Sequence, residues 1–173
     1  MKTYIAFDAN GIFENKNSRD LKNYHHVMTW QRTYPSRFNF LNLHDIDFTS
    51  KHGGLIESTV RPYLSKKLEQ ADNLFLIVSQ DTDVDSSLLN WQIMQAVNRH
   101  RLPIIVAYEG EQTITSETIQ KYEHHLPTSL RKLMHQKAVK IAHIPFKSGK
   151  IECACKHYSS RTAAYPWTER TIY

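Results

Sequence analysis

Short apolar runs alternate along the chain with longer stretches of helical periodicity. Five runs are predicted as strands: Tyr4 to Phe7, Phe38 to Leu43, Leu74 to Val78, Ile104 to Tyr108 and Val139 to Ile144. Helices are predicted over Arg19 to Gln31, Ile56 to Gln70, Ser87 to Arg101, and Glu117 to Gln136 with a break at Pro127. The last strand leads into Lys150 to Tyr158. Strands that alternate with helices in this way form a parallel sheet.

Right-handed crossovers on this pattern favour an α/β fold of the flavodoxin-like, doubly wound kind. The simplest arrangement is a five-stranded parallel sheet with strand order 2-1-3-4-5. Ligands of such sheets bind where the loops after strands 1 and 3 diverge to opposite faces. The 173 residues suit one domain. We assign it to residues 1–160 and leave 161–173 as a C-terminal extension of unassigned structure.

Composition and charge narrow the classes of function. The formal net charge is +5, but the cations are scattered in pairs or short groups. We therefore expect a basic surface that suits a phosphate-bearing small molecule, and no nucleic-acid partner. No apolar run approaches the ~18 residues of a membrane span, and no signal peptide is recognisable. Cys153 and Cys155 are too close in sequence to pair without strain, so we expect a reduced, cytoplasmic protein.

The common sequence motifs for cofactors, metals and hydrolases are missing. The glycines never fall in GxGxxG or GxxxxGK[ST] spacing, and no GxSxG elbow occurs. Asp81, Asp83 and Asp85 alternate as in part of a calcium loop but lack its glycine and final glutamate. The adjacent histidine pairs do not have the spacing of zinc ligands. We predict no metal and no resident cofactor.

The most informative stretch runs from Ser79 to Met94, where the third strand ends and the next helix begins. Its helix presents Trp91 and Gln92 near the mouth of the predicted crevice. The polar loops over 8–17 and 43–49 follow strands 1 and 2, so they are expected beside it. Together these segments supply carboxylates, amides and an imidazole around one site.

Several short motifs occur along the chain in a characteristic order. They are Phe7-Asp8, the helix from Tyr24 to Trp30, Phe40 to Asp45 with its His-Asp ending, Ile-Val-Ser-Gln-Asp-Thr over 77–82, Trp91-Gln92-Ile93, Leu102 to Val106 and Ile144 to Lys147. In this order and spacing they resemble the TIR-like proteins of bacterial Thoeris anti-phage systems. The resemblance extends over roughly residues 3–155.

The resemblance implies an NAD+ glycohydrolase or ADP-ribosyl cyclase-like enzyme. Proteins of this family cleave the bond between nicotinamide and ribose in NAD+, which is then substrate rather than cofactor. They make an ADP-ribose-derived signal, cyclic or conjugated, that activates an effector protein and stops phage spread by depleting the host. The implied partners are therefore NAD+, an effector reached through a diffusible product, and further copies of the chain in a homo-oligomer.

The resemblance also assigns roles to individual residues. Phe7 and Trp91 would pack on the nicotinamide or adenine rings, and His44 would position the acceptor of the ADP-ribosyl group. Ribose hydroxyls would bond to Asp8, Asn10 and Asp45. Main-chain N–H groups around Thr82 would meet phosphate.

The chain departs from the family at the catalytic position. The helix opening reads Trp-Glu-Ile in the family, and its glutamate is catalytic, whereas this chain has Gln92. Loss of neutral nicotinamide leaves positive charge on the ribosyl carbon and ring oxygen, which a fixed anion stabilises. Losing such a group costs about 10²- to 10³-fold in rate. We expect Gln92 to preserve the fold and substrate binding while it strongly impairs turnover.

Two accounts of Gln92 stay open on the sequence. It is either natural, in a sensor or scaffold with a retired site, or an engineered substitution that traps substrate. We favour the second because the residues assigned around it still look like a retained site. Two other functions compete with the enzyme, namely a catalytically silent TIR-like module that binds a nucleotide or protein, and a nucleoside 2-deoxyribosyltransferase-like enzyme. A purely structural interpretation makes Gln92 a solvated helix residue and Trp91 a core residue.

Overall fold

The computed structural model describes residues 1–6, 18–41, 57–159 and 171–172. Its strands are parallel and form one sheet in the order β2-β1-β3-β4-β5-β6. They are β1 Thr3–Ala6, β2 Phe40–Leu41, β3 Asn73–Val78, β4 Ile104–Tyr108, β5 Ile141–Pro145 and β6 Thr171–Ile172. The predicted order 2-1-3-4-5 is confirmed. The short strand β6 extends the sheet beyond β5 and belongs to the segment left unassigned from sequence.

Six α-helices connect the strands in the described part of the chain. They are α1 Arg19–Thr33, α2 Glu57–Glu69, α3 Ser87–Met94, α4 Ser116–Tyr122, α5 Thr128–His135 and α6 Ser148–His157. A π-helical turn continues α3 through Gln95–Arg99. The break expected at Pro127 is confirmed, because a 3-10 turn and Pro127 separate α4 from α5. None of the described helices is long and apolar enough to cross a membrane.

The central strands β3 and β4 are buried along their whole length. Their sequences are runs of large apolar residues without alternation, which is typical of a parallel strand covered on both faces. Asn73 is the polar exception at the start of β3. Its side-chain Nδ2 donates to the main-chain oxygens of Cys155 and Tyr158 at 3.1 and 2.8 Å. A buried amide therefore anchors the end of α6 to the sheet.

In the described part of the chain, a side chain pairs with the outer backbone groups of the edge strand β2. Gln31 on α1 accepts the Phe40 N–H through Oε1 at 2.9 Å and donates from Nε2 to the Phe40 oxygen at 3.3 Å. The amide thus bonds to both backbone groups of one residue, as a neighbouring strand would. This arrangement closes an edge that could otherwise pair with another chain.

Removing this amide is expected to destabilise the protein. Gln31→Ala should lower the free energy of unfolding by about 1–2 kcal/mol, because two part-buried backbone groups lose their partner. Urea unfolding followed by circular dichroism measures the change. The neighbouring exposed residue supplies a control, since Arg32→Ala should change the free energy by less than about 0.5 kcal/mol. Equal effects of the two substitutions would show that the Gln31 amide contributes nothing.

An ion-pair network joins α6 to the loop after α1. Arg37 Nε donates to Glu152 Oε2 at 2.6 Å, and Lys156 Nζ donates to Glu152 Oε1 at 2.7 Å. The bond from Arg37, followed by that from Lys156, lowers the pKa of Glu152 to about 2. The carboxylate is therefore bound more tightly by its partners when ionised than when protonated.

The lowered pKa predicts a defined dependence of stability on pH. The pKa of glutamate in an unfolded chain is about 4.3, so the network stabilises the fold above that pH. This stabilisation is lost as the pH falls from there toward 2. Glu152→Gln should therefore reduce the pH dependence of the thermal midpoint between about pH 4.5 and 2. Glu117→Gln, at an exposed site on α4, should leave that pH dependence as it is in the wild-type protein. Melting curves recorded across this pH range test the prediction. If the thermal midpoints of Glu152→Gln and the wild-type protein changed equally with pH, the prediction would be wrong.

Candidate functional site

The exits of β1 and β3 lie side by side at one edge of the sheet, where a doubly wound fold binds its ligands. The helix α1 begins beside the exit of β3, because the Arg19 N–H donates to Asp81 Oδ2 at 2.9 Å. The side chain of Arg19 lies 3.5 Å from the carboxylate of Glu109, which follows β4. Segments that follow strands β3 and β4 therefore meet the start of α1 at this edge.

A buried carboxylate joins the start of α1 to the turn after β3. Asp20 is 3% exposed and accepts hydrogen bonds from the hydroxyls of Ser79 and Thr82 at 2.5 and 2.8 Å. Ser79 Oγ accepts the Asp81 N–H at 3.1 Å, so the turn is also bonded internally. Sequence reasoning missed Asp20, because an acidic residue in the first turn of a helix is usually explained by the helix dipole alone.

Thr82 shapes this turn from the inside. It is 7% exposed, and its Oγ1 accepts the Ser79 N–H at 2.9 Å besides donating to Asp20. The Thr82 N–H lies 3.5 Å from the main-chain oxygen of Ser79. The Thr82 hydroxyl is therefore bonded both to the Ser79 N–H and to the Asp20 carboxylate. Contact between phosphate and the N–H groups of the turn stays a prediction.

Gln92 is buried between α3 and β1. It is 2% exposed, its Oε1 accepts the Tyr4 hydroxyl at 2.7 Å, and its Nε2 donates to the main-chain oxygen of Leu88 at 3.2 Å. The interpretation of Gln92 as a solvated helix residue is therefore wrong. A long polar side chain is accommodated here because both ends of its amide have partners.

Tyr4, the partner of Gln92, is the second residue that sequence reasoning missed; the two residues and their surroundings are called the corner below. In an apolar strand a tyrosine is expected in the core, and nothing local indicates what its hydroxyl contacts. Burial raises the pKa of Tyr4 well above its ordinary value of 10, and the nearby Tyr24 raises it further. The Tyr4 hydroxyl is therefore a permanent hydrogen-bond donor to Gln92 at neutral pH.

Trp91 lies in the middle of α3 and is half-buried against the core. The guanidinium carbon of Arg61 on α2 lies 5.5 Å from the Trp91 ring centroid. The same guanidinium donates to Ser87 Oγ at 3.4 Å. A cation over the indole face is a favourable contact and holds α2 against the start of α3. Stacking of Trp91 on a base or nicotinamide ring stays a prediction.

Five of the predicted site residues fall in two segments that lie outside the described part of the chain. Phe7, Asp8, Asn10, His44 and Asp45 lie outside the described residues. The structure brings Thr82, Trp91 and Gln92 to the strand-turn-helix junction from β3 to α3 and adds Tyr4 and Asp20 from neighbouring elements. In the described ranges, His, Cys, Asp and Glu side chains do not gather in threes as metal ligands would.

The parallel sheet and this junction define a TIR-like α/β protein. The TIR-like domain of the Thoeris protein ThsB, as a family model, matches residues 4–114. These are 111 of the 173 residues, and the chain belongs to this family. The match includes Tyr4, Asp20 and Gln92 and ends before α4.

A solved structure is also similar to this chain. It is the CMP N-glycosidase BcmB of Clostridium botulinum, with 8% sequence identity and a TM-score of 0.46. The alignment covers 91% of this chain and 99% of the glycosidase chain.

Proposed function

We propose that this chain binds NAD+ at the carboxyl edge of β1 and β3 and holds it with little turnover. The site is of the kind that cleaves the nicotinamide–ribose bond and makes an ADP-ribose-derived signal, cyclic or conjugated, in anti-phage defence. Membership of the Thoeris TIR-like family supports the reaction class. The observation that carries the proposal is the position of Gln92 on α3, the helix that follows β3, where its amide contacts Tyr4 of β1.

The chemistry of the bond explains why position 92 decides the rate. Departure of neutral nicotinamide leaves positive charge on the ribosyl carbon and ring oxygen. A preorganised anion beside that charge lowers the barrier more than any neutral group does. Gln92 has nearly the shape of glutamate but no charge, and its oxygen already accepts the Tyr4 hydroxyl. Substrate binding is therefore retained and bond cleavage is slowed.

The remaining site residues are proposed in the roles that the family implies. Trp91 and Phe7 pack on the rings of NAD+, and His44 positions the acceptor. Asp8, Asn10 and Asp45 bond to ribose hydroxyls. The net charge of +5 favours the approach of a diphosphate ligand. The proposed partners are an effector protein reached through the diffusible product and further copies of the chain, in the cytoplasm.

A second candidate is a catalytically silent module that binds a nucleotide or a protein. The hydrogen bonds of Gln92 favour it, because an amide can accept from Tyr4 and donate to the Leu88 oxygen at the same time. An ionised carboxylate at this position could only accept. The corner is thus suited to an amide, as expected for a natural residue in a sensor.

Binding and turnover, measured separately, distinguish these functions. Titration calorimetry measures NAD+ affinity, and chromatography measures nicotinamide release by the chain and by Gln92→Glu. NAD+ binding together with release by Gln92→Glu supports the proposal, whereas binding with an inert Gln92→Glu protein supports the silent module. Absence of NAD+ binding by both proteins overturns the proposal. Deoxynucleosides serve as a parallel substrate, and base exchange with them would indicate a deoxyribosyltransferase instead.

A further inference from the structure

We infer that Tyr4 is a positioning residue that holds one oxygen of the side chain at position 92 and so determines where the other polar atom points. This inference rests on the proposed function, because position 92 matters for catalysis only in an NAD+-cleaving site. Tyr4 lies on β1 and Gln92 on α3, 88 positions apart in sequence. Their hydrogen bond of 2.7 Å is therefore a buried tertiary contact between the first strand of the sheet and the helix that follows β3.

The present amide is turned back along its own helix. Gln92 Nε2 donates to the oxygen of Leu88, one turn earlier on α3, and the whole residue is 2% exposed. Tyr4 is 0% exposed, so its hydroxyl has no water to exchange for Gln92. Both polar atoms of the amide are thus committed to protein partners. In this state position 92 offers no polar atom to a ligand in the crevice.

A carboxylate at position 92 cannot keep this arrangement. An ionised carboxyl has no N–H to donate, so one oxygen would face the Leu88 oxygen at about the present 3.2 Å, and two electron-rich atoms repel each other. The Tyr4 hydroxyl still donates to the first oxygen, now as a stronger, charge-assisted bond. The second oxygen therefore turns away from Leu88 while the first stays in place. Tyr4 acts as the fixed point about which the side chain reorients toward the crevice.

The same contact sets the protonation of a carboxyl introduced at position 92. A hydrogen bond donated to the charged form lowers a carboxyl pKa, whereas burial raises it. Among the described residues, the titratable groups near Tyr4 and position 92 are Tyr24 on α1, which acts on Tyr4, and Arg61 on α2, which lies over Trp91. Neither is altered in the variants below. Loss of the Tyr4 hydroxyl should therefore change the titration of position 92 in one direction, upward.

The test compares Gln92→Glu with Gln92→Glu/Tyr4→Phe. Carbon-13 NMR of labelled glutamate follows the carboxyl at position 92, and we expect the double variant to titrate about one pH unit higher. The acid limb of its pH profile for nicotinamide release should move upward with it. The double variant should also lose about 10- to 100-fold in kcat with less than threefold change in KM, because the misplaced carboxylate acts in the bond-breaking step.

A matched control removes a different buried hydroxyl. Tyr108 on β4 is 0% exposed and makes a hydrogen bond of the same 2.7 Å length, to His143 Nδ1. Gln92→Glu/Tyr108→Phe should lose similar stability but leave the titration of position 92 unchanged. Equal titrations in the Tyr4 and Tyr108 double variants would overturn the inference, because Tyr4 would then act only as part of the core.

The NMR titration does not depend on catalysis. The inference on Tyr4 and the proposed function can therefore be overturned independently of each other. Inert Gln92→Glu protein rejects the proposed activity, while the titration still decides the role of Tyr4. If Tyr4→Phe does not fold, 3-fluorotyrosine placed at position 4 of Gln92→Glu keeps the packing and strengthens the donor. The carboxyl at position 92 should then titrate lower than with tyrosine. An unchanged titration overturns the inference by this route too.

Discussion

Gln92→Glu is expected to raise the rate of nicotinamide release from NAD+ by about 10²- to 10³-fold. The substitution changes the side chain by one group and adds a negative charge where the proposed reaction would develop positive charge on the ribose. Because Gln92 is already in contact with β1 through Tyr4, the new carboxylate enters a preformed corner rather than a flexible loop. Release at saturating NAD+, followed by chromatography, gives kcat directly, and affinity for NAD+ should change far less.

The prediction requires that the negative charge lie at position 92 itself and not at a nearby residue of the same helix. Gln95→Glu provides this control, since it makes the same chemical change three residues further along, at the half-buried end of α3. We expect its nicotinamide release to equal that of the parent chain. A comparable gain in both variants would mean that added charge near the crevice is sufficient, and the proposed role of position 92 would then be wrong.

Asp20→Ala is expected to lower the free energy of unfolding by about 3 kcal/mol or more. The substitution removes two hydrogen bonds to a buried carboxylate, each of which contributes about 1.5–3 kcal/mol. It also leaves the hydroxyls of Ser79 and Thr82 without that acceptor at the exit of β3. Urea unfolding gives the change in stability, and NAD+ affinity should fall as well because the turn after β3 loses two of its hydrogen bonds to α1.

A substitution at a neighbouring residue distinguishes the effect of losing the Asp20 carboxylate from the effect of changing any residue of α1. Lys22 is exposed on α1, and Lys22→Ala should change the free energy of unfolding by less than about 0.5 kcal/mol. Asp20→Asn should fall between the two, because one amide oxygen can still accept a hydroxyl. If Asp20→Ala were no more destabilising than Lys22→Ala, the buried carboxylate would not be what holds the turn to α1.

The arrangement of the sheet could be predicted because it depends on short-range patterns. The apolar runs over 74–78 and 104–108 are long enough to be strands and too uniform to have a solvent-facing side, and both are fully buried. Handedness and crossover rules then restrict the strand order to a few possibilities, of which the simplest was confirmed. The two-residue strand β6 escaped prediction, since two residues carry no periodic signal.

The strand-to-helix junction that carries Thr82, Trp91 and Gln92 could be predicted from the sequence, but the contacts of these residues could not. The switch from an apolar strand to a helix opening with Trp91 and Gln92 is a local signal, so its place at the carboxyl edge followed from the fold class. The partners of those residues come from elsewhere in the chain. Gln92 meets Tyr4 across 88 positions, and Asp20 meets Ser79 across 59.

Sequence alone therefore determined the parallel α/β architecture, the family resemblance and the presence of an amide at the position where that resemblance implies a carboxylate. Only the tertiary structure decided that this amide is buried, that it bonds to Tyr4 and Leu88, and that Asp20 joins α1 to the exit of β3. The physical reason is the distance along the chain over which each effect acts. Periodicity and capping act over a few residues, whereas the partner of a buried polar group depends on which elements the completed sheet brings together.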